Sequence, residues 1–184
     1  MKRLLALALL AGCAQQQQQA PAPQPALERS CAILVGGNGP GFADPRIDRF
    51  WRTVNLEVTK RLQARLFEKY RAEPLMIDIQ ERSRTHELVG TAMARHGCNR
   101  ILQVVHDVNA DAQGSYFAFI VSMLGVTPTA KTEGGTVVTT RGVFEKRYRY
   151  ARTREVMDTL SMSDVGDRMF TDLEASGALE GIRR

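Results

Sequence analysis

Cys31-Ala32-Ile33-Leu34-Val35, halted by Gly36-Gly37, is the stretch whose reading decides the fold. A short apolar run closed by a glycine pair suits a buried strand. Asp44-Pro45 follows, an N-cap residue with proline at the first helical position, which marks a helix start. From there Ile47, Trp51, Val54, Val58, Leu62, Leu66 and Tyr70 recur at three- and four-residue spacing. Arg46, Arg49, Arg52, Lys60, Arg61, Arg65 and Lys69 lie between them. The spacing predicts a long amphipathic helix with one buried and one basic face, ending before Pro74.

Further along, Leu75 to Ile79 reads as a second strand and Thr85 to His96 as a helix, with Gly97 as its left-handed stop. Arg100 to Val108 is a third strand, and Tyr116 to Leu124, apolar on both faces, belongs inside the sheet. Thr136 to Tyr150 makes a long strand, with a bulge expected at Gly142. On period-two reasoning Val138, Phe144, Tyr148 and Tyr150 fall on one side of it, and Arg141, Glu145, Arg147 and Arg149 on the other. A last helix runs from Asp164 to Ala175 with Ser163 as N-cap and Gly177 as stop. The expected fold is α/β (α+β), in the order β-α-β-α-β-β-β-α. Strands separated by helices pair parallel early, adjacent strands pair antiparallel late, and about five strands form a mixed sheet with helices mainly on one face.

Ahead of the domain, Lys2-Arg3 is a short positive segment and Leu4 to Leu10 an apolar run. That run is too short to span a bilayer, which takes roughly 20 apolar residues. It ends in Leu10-Ala11-Gly12-Cys13, which resembles the lipobox of bacterial lipoproteins. The resemblance implies cleavage after Gly12, so that residues 1–12 are a signal peptide, and lipidation of Cys13. Two or three acyl chains make a durable membrane anchor. Ala14 rather than Asp follows the cysteine, which in that family favours the outer membrane, facing the periplasm.

From Ala14 to Ala26 the chain reads AQQQQQAPAPQPA, uncharged and unable to bury apolar area. It is expected to be a disordered tether reaching about 40 Å at roughly 3.1 Å per residue. The lipidated cysteine and tether together take residues 13–29, which leaves residues 30–184 as one periplasmic domain. Removing Lys2 and Arg3 lowers the formal charge of the 184-residue chain from +5 to +3.

Within the domain, the helix-turn-strand Ala94-Arg95-His96-Gly97-Cys98-Asn99-Arg100-Ile101-Leu102 and the helix end Ala175-Ser176-Gly177 resemble small periplasmic α/β modules. These are the TolB amino-terminal domain and the lipoprotein activators of penicillin-binding proteins. The resemblance is one of architecture, and architecture does not fix function.

Cys31 and Cys98 remain after cleavage. In an oxidising compartment an even pair reads first as a disulfide, and both would lie at one end of the sheet if their strands are parallel neighbours. The alternative is two separate buried thiols, either of which would then be free to act as a nucleophile.

The loop Gly36-Gly37-Asn38-Gly39-Pro40-Gly41 stands between strand and helix, where anion-binding loops also stand. It lacks the Gly-Lys-Ser/Thr ending and the dinucleotide spacing, and a plain turn is the simpler reading. Asp107-Val-Asn109-Ala-Asp111 begins like a calcium loop, but its sixth and twelfth positions are Ala112 and Ala118 instead of Gly and Glu. It reads better as a hairpin connection. His86, His96 and His106 match no metal signature, and no Gly-x-Ser-x-Gly element accompanies them. No metal, cofactor or catalytic residue is assigned.

Between Arg141 and Arg154 stand Arg141, Lys146, Arg147, Arg149, Arg152 and Arg154, with Glu145 the one acid on the strand. Charges spaced by two on a strand form a stripe, which fits an anionic lipid or glycan or an acidic protein surface; nucleic acid is not an expected partner in the periplasm. The competing reading is a solvated face that protects a sheet edge.

The leading expectation is therefore a non-enzymatic outer-membrane lipoprotein, an accessory or binding module in cell-envelope assembly or maintenance whose partner is an envelope protein or an anionic lipid or glycan. Two alternatives stand beside it. One is a periplasmic enzyme with a discontinuous site near His106 and the Gly36–Gly41 loop; the other is a lipid- or glycolipid-binding subunit of an envelope transport system.

Overall fold

The computed structural model describes residues 30–132 and 135–184, without the side chains of residues 129–137. The expected signal peptide 1–12, the expected lipidation at Cys13 and the expected tether to residue 29 lie outside the described residues.

Strand β1 (Ala32–Asn38) and helix α1 (Pro45–Phe67) realise the opening motif. The Asp44 carboxylate accepts from the Arg46 amide and Pro45 takes the first turn. Strand β2 (Ala72–Met76) follows, then a 3₁₀ segment (Ile79–Arg84) and helix α2 (Thr85–His96), closed by Gly97 at φ 65°. Strands β3 (Arg100–Asp111), β4 (Gly114–Thr132) and β5 (Gly135–Ala151) form a long meander, and α3 (Arg154–Thr159) and α4 (Met162–Ala175) end the domain.

The sheet order is β2-β1-β3-β4-β5. β1 pairs parallel with β2 and β3, while β3–β4 and β4–β5 are antiparallel. The mixed α/β sheet expected from the chain order is thus present. β1 is flanked on both sides, which is why Ile33, Leu34 and Val35 are almost fully buried.

Trp51, Val58, Leu62 and Leu66 of α1 pack with Val165, Met169, Phe170 and Leu173 of α4 on one face, against Leu34, Leu102, Phe117 and Phe119. Val89 of α2 covers Ile33, Val35 and the two cysteines on the other. The two helices on the main face approach closely, for a Cβ on Gly166 would lie 2.8 Å from Arg61 Cβ. Arg61 grips Asp167 with two bonds of 3.0 and 2.7 Å. That hydrogen bond, with its charge, outweighs the small effect of burial and holds the Asp167 carboxyl below its ordinary range.

Several boundaries differ from expectation. β2 begins at Ala72 rather than Leu75, and Pro74 is tolerated because β2 is an edge strand with a face that needs no donor. The N-cap of α4 is Ser161, not Ser163: the Ser161 hydroxyl accepts from the Asp164 amide. Helix α3, capped by the Thr153 hydroxyl, was not expected from the pattern, being only six residues long. The would-be calcium loop is strand up to Asp111, with Gly114 at φ 112° beginning the return.

The largest correction concerns β5. The register shifts between Met123↔Phe144 and Leu124↔Gly142, which leaves Val143 as the extra residue. A one-residue bulge flips every side chain beyond it. Phe144, Tyr148 and Tyr150 face the main core as expected. Val138 does not join them but faces the α2 side, and Arg141 lies on the side opposite Arg147 and Arg149.

Candidate functional site

Two places on the domain answer to the candidates raised by the sequence, and the structure adds a third. The first is the C-terminal end of β1 and β3, where open α/β sheets hold ligands. There the register of β1 against β3 slips between Val35 and Asn38, and the ladder loses its partners. Asn55 of α1, fully buried, restores them: its Oδ1 accepts from the Gly37 amide at 2.7 Å, and its Nδ2 donates to the Val104 carbonyl at 3.0 Å. No sequence signal distinguished Asn55 from the polar residues on the exposed face of the same helix.

The same end brings together His106 and the Gly36–Gly41 loop. His106 is fully buried, stacked between Phe42 at 6.1 Å and Trp51 at 6.4 Å. Neither ring nitrogen has a well-formed hydrogen bond. A Cβ on Gly39 would collide with the ring, so only glycine lets the loop close over it. Burial first, and the nearby Arg82 guanidinium second, push the imidazole below its ordinary pKa; Asp48 and the backbone at Pro40 and Asn38 act weakly the other way. Asp48 accepts from the Phe42 amide and pairs with Arg82 at 3.0 Å, which ties the loop to the 3₁₀ segment.

The arrangement has the composition of a site and the geometry of a plug. Three amides of the loop region are already used: Gly37 on Asn55, Gly39 on Asn38, Phe42 on Asp48. The first turn of α1 gives the Arg46 amide to Asp44. An anion arriving there meets the Asp44 and Asp48 carboxylates and mostly satisfied donors. His106 has no solvent path in this conformation, and both described thiols are joined in the Cys31–Cys98 disulfide. The parallel pairing of β1 and β3 places those Cα atoms 4.6 Å apart at the opposite end of the sheet. The remaining histidines, His86 and His96, sit exposed on α2. Among the described residues no three His, Cys, Asp or Glu side chains gather as a metal site.

The second place is the basic segment, which the structure divides. Arg147 pairs with Asp107 at 3.0 Å and Arg149 with Asp111 at 2.7 Å, across the open face of the sheet. Lys146 points to the main face and meets Asp172 at 2.8 Å. Tyr148 donates to the same carboxylate at 2.6 Å. Burial pushes Asp172 up, but the bonds from Lys146 and Tyr148 outweigh it and hold the carboxyl below its ordinary range. Arg154 pairs with Asp158. Arg141 in β5 and Arg152 just past the end of that strand have no ion pair among the described residues and lie far apart. Four of the six cations are neutralised in pairs, so the segment is not a coherent cationic stripe, and such exposed pairs contribute only about 0–1 kcal/mol each.

The third place was not visible in the sequence. A groove of about 690 Å³ separates α2 from the outer part of the β4–β5 hairpin. Val89 and Met93 of α2, Ile101 of β3, Val126 and Pro128 of β4 and Val138 of β5 line it. The Val126 amide bonds the Asn99 carbonyl at 2.8 Å, and β3 begins only at Arg100. Beyond Val126, that edge of β4 has no partner strand among the described residues. The groove exists because the bulge at Val143 turns Val138 toward it and because the hairpin outruns β3.

No protein-family model matches the chain, and no curated protein matches it. Two solved structures show weak likeness. The PelC dodecamer from Paraburkholderia phytofirmans is 10% identical, with 79% of this chain and 90% of that chain covered and a TM-score of 0.34. The hypothetical protein CT253 from Chlamydia trachomatis is 9% identical, with 82% and 98% covered and a TM-score of 0.36. Both scores are too low to indicate a shared fold.

Proposed function

We propose that the chain is an outer-membrane lipoprotein whose periplasmic domain is a binding module for cell-envelope assembly or maintenance, anchored through Cys13. The anchor rests on Leu10-Ala11-Gly12-Cys13 and the tether after it. Among the described residues no helix is long and apolar enough to cross a membrane.

One observation carries the binding role. The large concavity that is open to solvent is apolar and bordered by an unpaired strand edge, whereas the buried polar cluster at His106 is closed. An open edge beside an apolar groove fits an extended protein segment, which gains main-chain bonds from the edge and side-chain burial from the groove. The groove also keeps the lipid- or glycolipid-binding reading in view, since apolar lining suits an acyl chain.

The test places a photo-crosslinking amino acid at Gly90 of the groove, where a side chain added to the glycine would meet no heavy atom within 4 Å of its Cβ, in cells that also report palmitate incorporation. One envelope protein crosslinked by the acylated chain, and lost with Cys13→Ala, supports the module. Crosslinks only to lipid favour the transport reading. No labelling of Cys13 overturns the anchor, and no groove-dependent crosslink overturns the docking role.

A further inference from the structure

We infer that the N-terminal shoulder of α1, together with the β5–α3 junction, is a seat for an anionic phospholipid surface. This deepens the anchored reading and rests on it only for the identity of the nearest surface.

Around the first turns of α1 the residues grade from charge to core. Arg49 and Arg46 point outward, Phe50 and Ile47 come next, and Trp51 is buried beneath them. Phe50 is 46% exposed and Ile47 40%, unusual for large apolar side chains one turn apart. Phe50 meets Trp51 edge-on at 5.2 Å. Arg152 and Met157 approach from the other side and complete a shallow depression of about 240 Å³.

Arg46, Arg49 and Arg152 have no ion pair among the described residues, in contrast to Lys146, Arg147 and Arg149 of β5. Of the nearby acids, Asp44 caps α1, Asp48 holds Arg82 and Asp158 holds Arg154, which leaves Glu155 in the first turn of α3 as one unpaired carboxylate against the three guanidinium groups. Apolar tips ringed by free guanidinium groups match a bilayer interface, where aromatic and aliphatic side chains enter the headgroup boundary and cations meet phosphate. The seat has no deep cavity and no open strand edge for a protein segment. A fluid array of phosphates satisfies three cations without a preset register.

The chain carries one tryptophan, so Trp51 is a built-in reporter. The full chain with Cys13→Ala is mixed with vesicles of equimolar phosphatidylcholine and acyl-brominated phosphatidylglycerol, and with vesicles of brominated phosphatidylcholine alone. Seating predicts bromine quenching of Trp51 on the anionic vesicles, much less on the zwitterionic ones, and loss with added salt. Each arginine near the surface is worth roughly a five-fold change in partitioning. Arg46→Glu with Arg152→Glu therefore lowers the affinity at least roughly 25-fold. Phe50→Ser, which removes the apolar tip and leaves the charge, lowers it independently.

Vesicle association without quenching means that the Leu4–Leu10 run alone has inserted; the seat is then refuted while the anchor reading stands. Equal quenching on both vesicle types refutes the anionic preference. Arginine-dependent capture of an acidic protein with no vesicle quenching assigns the surface to that partner instead, which also overturns the proposal.

Discussion

Replacing His106 by leucine tests whether the polar cluster under the glycine loop is a sealed plug or a working site. Two static terms oppose each other. Removing a buried ring whose nitrogens have no good partner returns about 1–3 kcal/mol. Losing two aromatic neighbours costs about 0.5–1.5 kcal/mol each. At pH 7.5 the variant should therefore lie within about 2 kcal/mol of the natural protein.

The pH dependence separates the readings. The unfolded imidazole takes a proton near pH 6.5, and the folded one only at lower pH because it is buried. Between those values the unfolded chain binds more protons, so stability falls as the pH drops below about 6.5 and is fully restored above it. If the folded ring stays neutral throughout, the loss from pH 7.5 to 5.5 reaches about 1.4 kcal/mol. His106→Leu cannot lose this term, and all other groups cancel in the comparison. Urea unfolding at the two pH values reads it as a midpoint shift of about 0.7 M, taking a slope of about 2 kcal/mol per molar. Parallel pH profiles for the two proteins, or a loss of several kcal/mol in the variant at pH 7.5, would refute the sealed neutral ring. Either result would favour a ring whose nitrogens reach a ligand or water, and with it the enzyme reading.

Two further outcomes follow from the packing. Asn55→Leu should destabilise the domain by roughly 2–4 kcal/mol, because it strands the Gly37 amide and the Val104 carbonyl in the interior; faster hydrogen exchange at Gly37 in the variant identifies the cause. Reduction of Cys31–Cys98, or the double alanine variant, releases a link across 67 residues and should cost about 4 kcal/mol in the chain-entropy picture. Matching urea midpoints with and without reductant would count against the bond as a stabilising link.

Periodicity was a good guide wherever an element is long and has one buried face. The seven apolar positions from Ile47 to Tyr70 announce α1, and Thr85–His96 emerges with the expected limits because Gly97 takes the left-handed stop. The sequence left the Cys31–Cys98 disulfide open beside two separate thiols, and the parallel pairing of β1 with β3 brings the two together. Short or doubly flanked segments were less legible. α3 is six residues and relies on Thr153 for its cap, and β2 begins three residues early on an edge where proline is harmless. Asn55 was hidden because burial, not residue type, makes it structural.

The basic segment shows why surface function is harder to read than fold. Counting charges along Arg141–Arg154 suggests one cationic face, but two physical events intervene. The bulge at Val143 turns Arg141 to the other side of the sheet, a change one inserted residue can make and a period-two count cannot see. Acids distant in sequence then complete the neutralisation: Asp107 and Asp111 from β3, Asp172 from α4. The same bulge exposes a different opportunity, since it carries Val138 into the groove beside α2. Removing Val143 should therefore act at both places together, restoring Arg141 to the side of Arg147 and turning Val138 out of the groove. The charged face and the apolar groove are coupled through the register of a single strand.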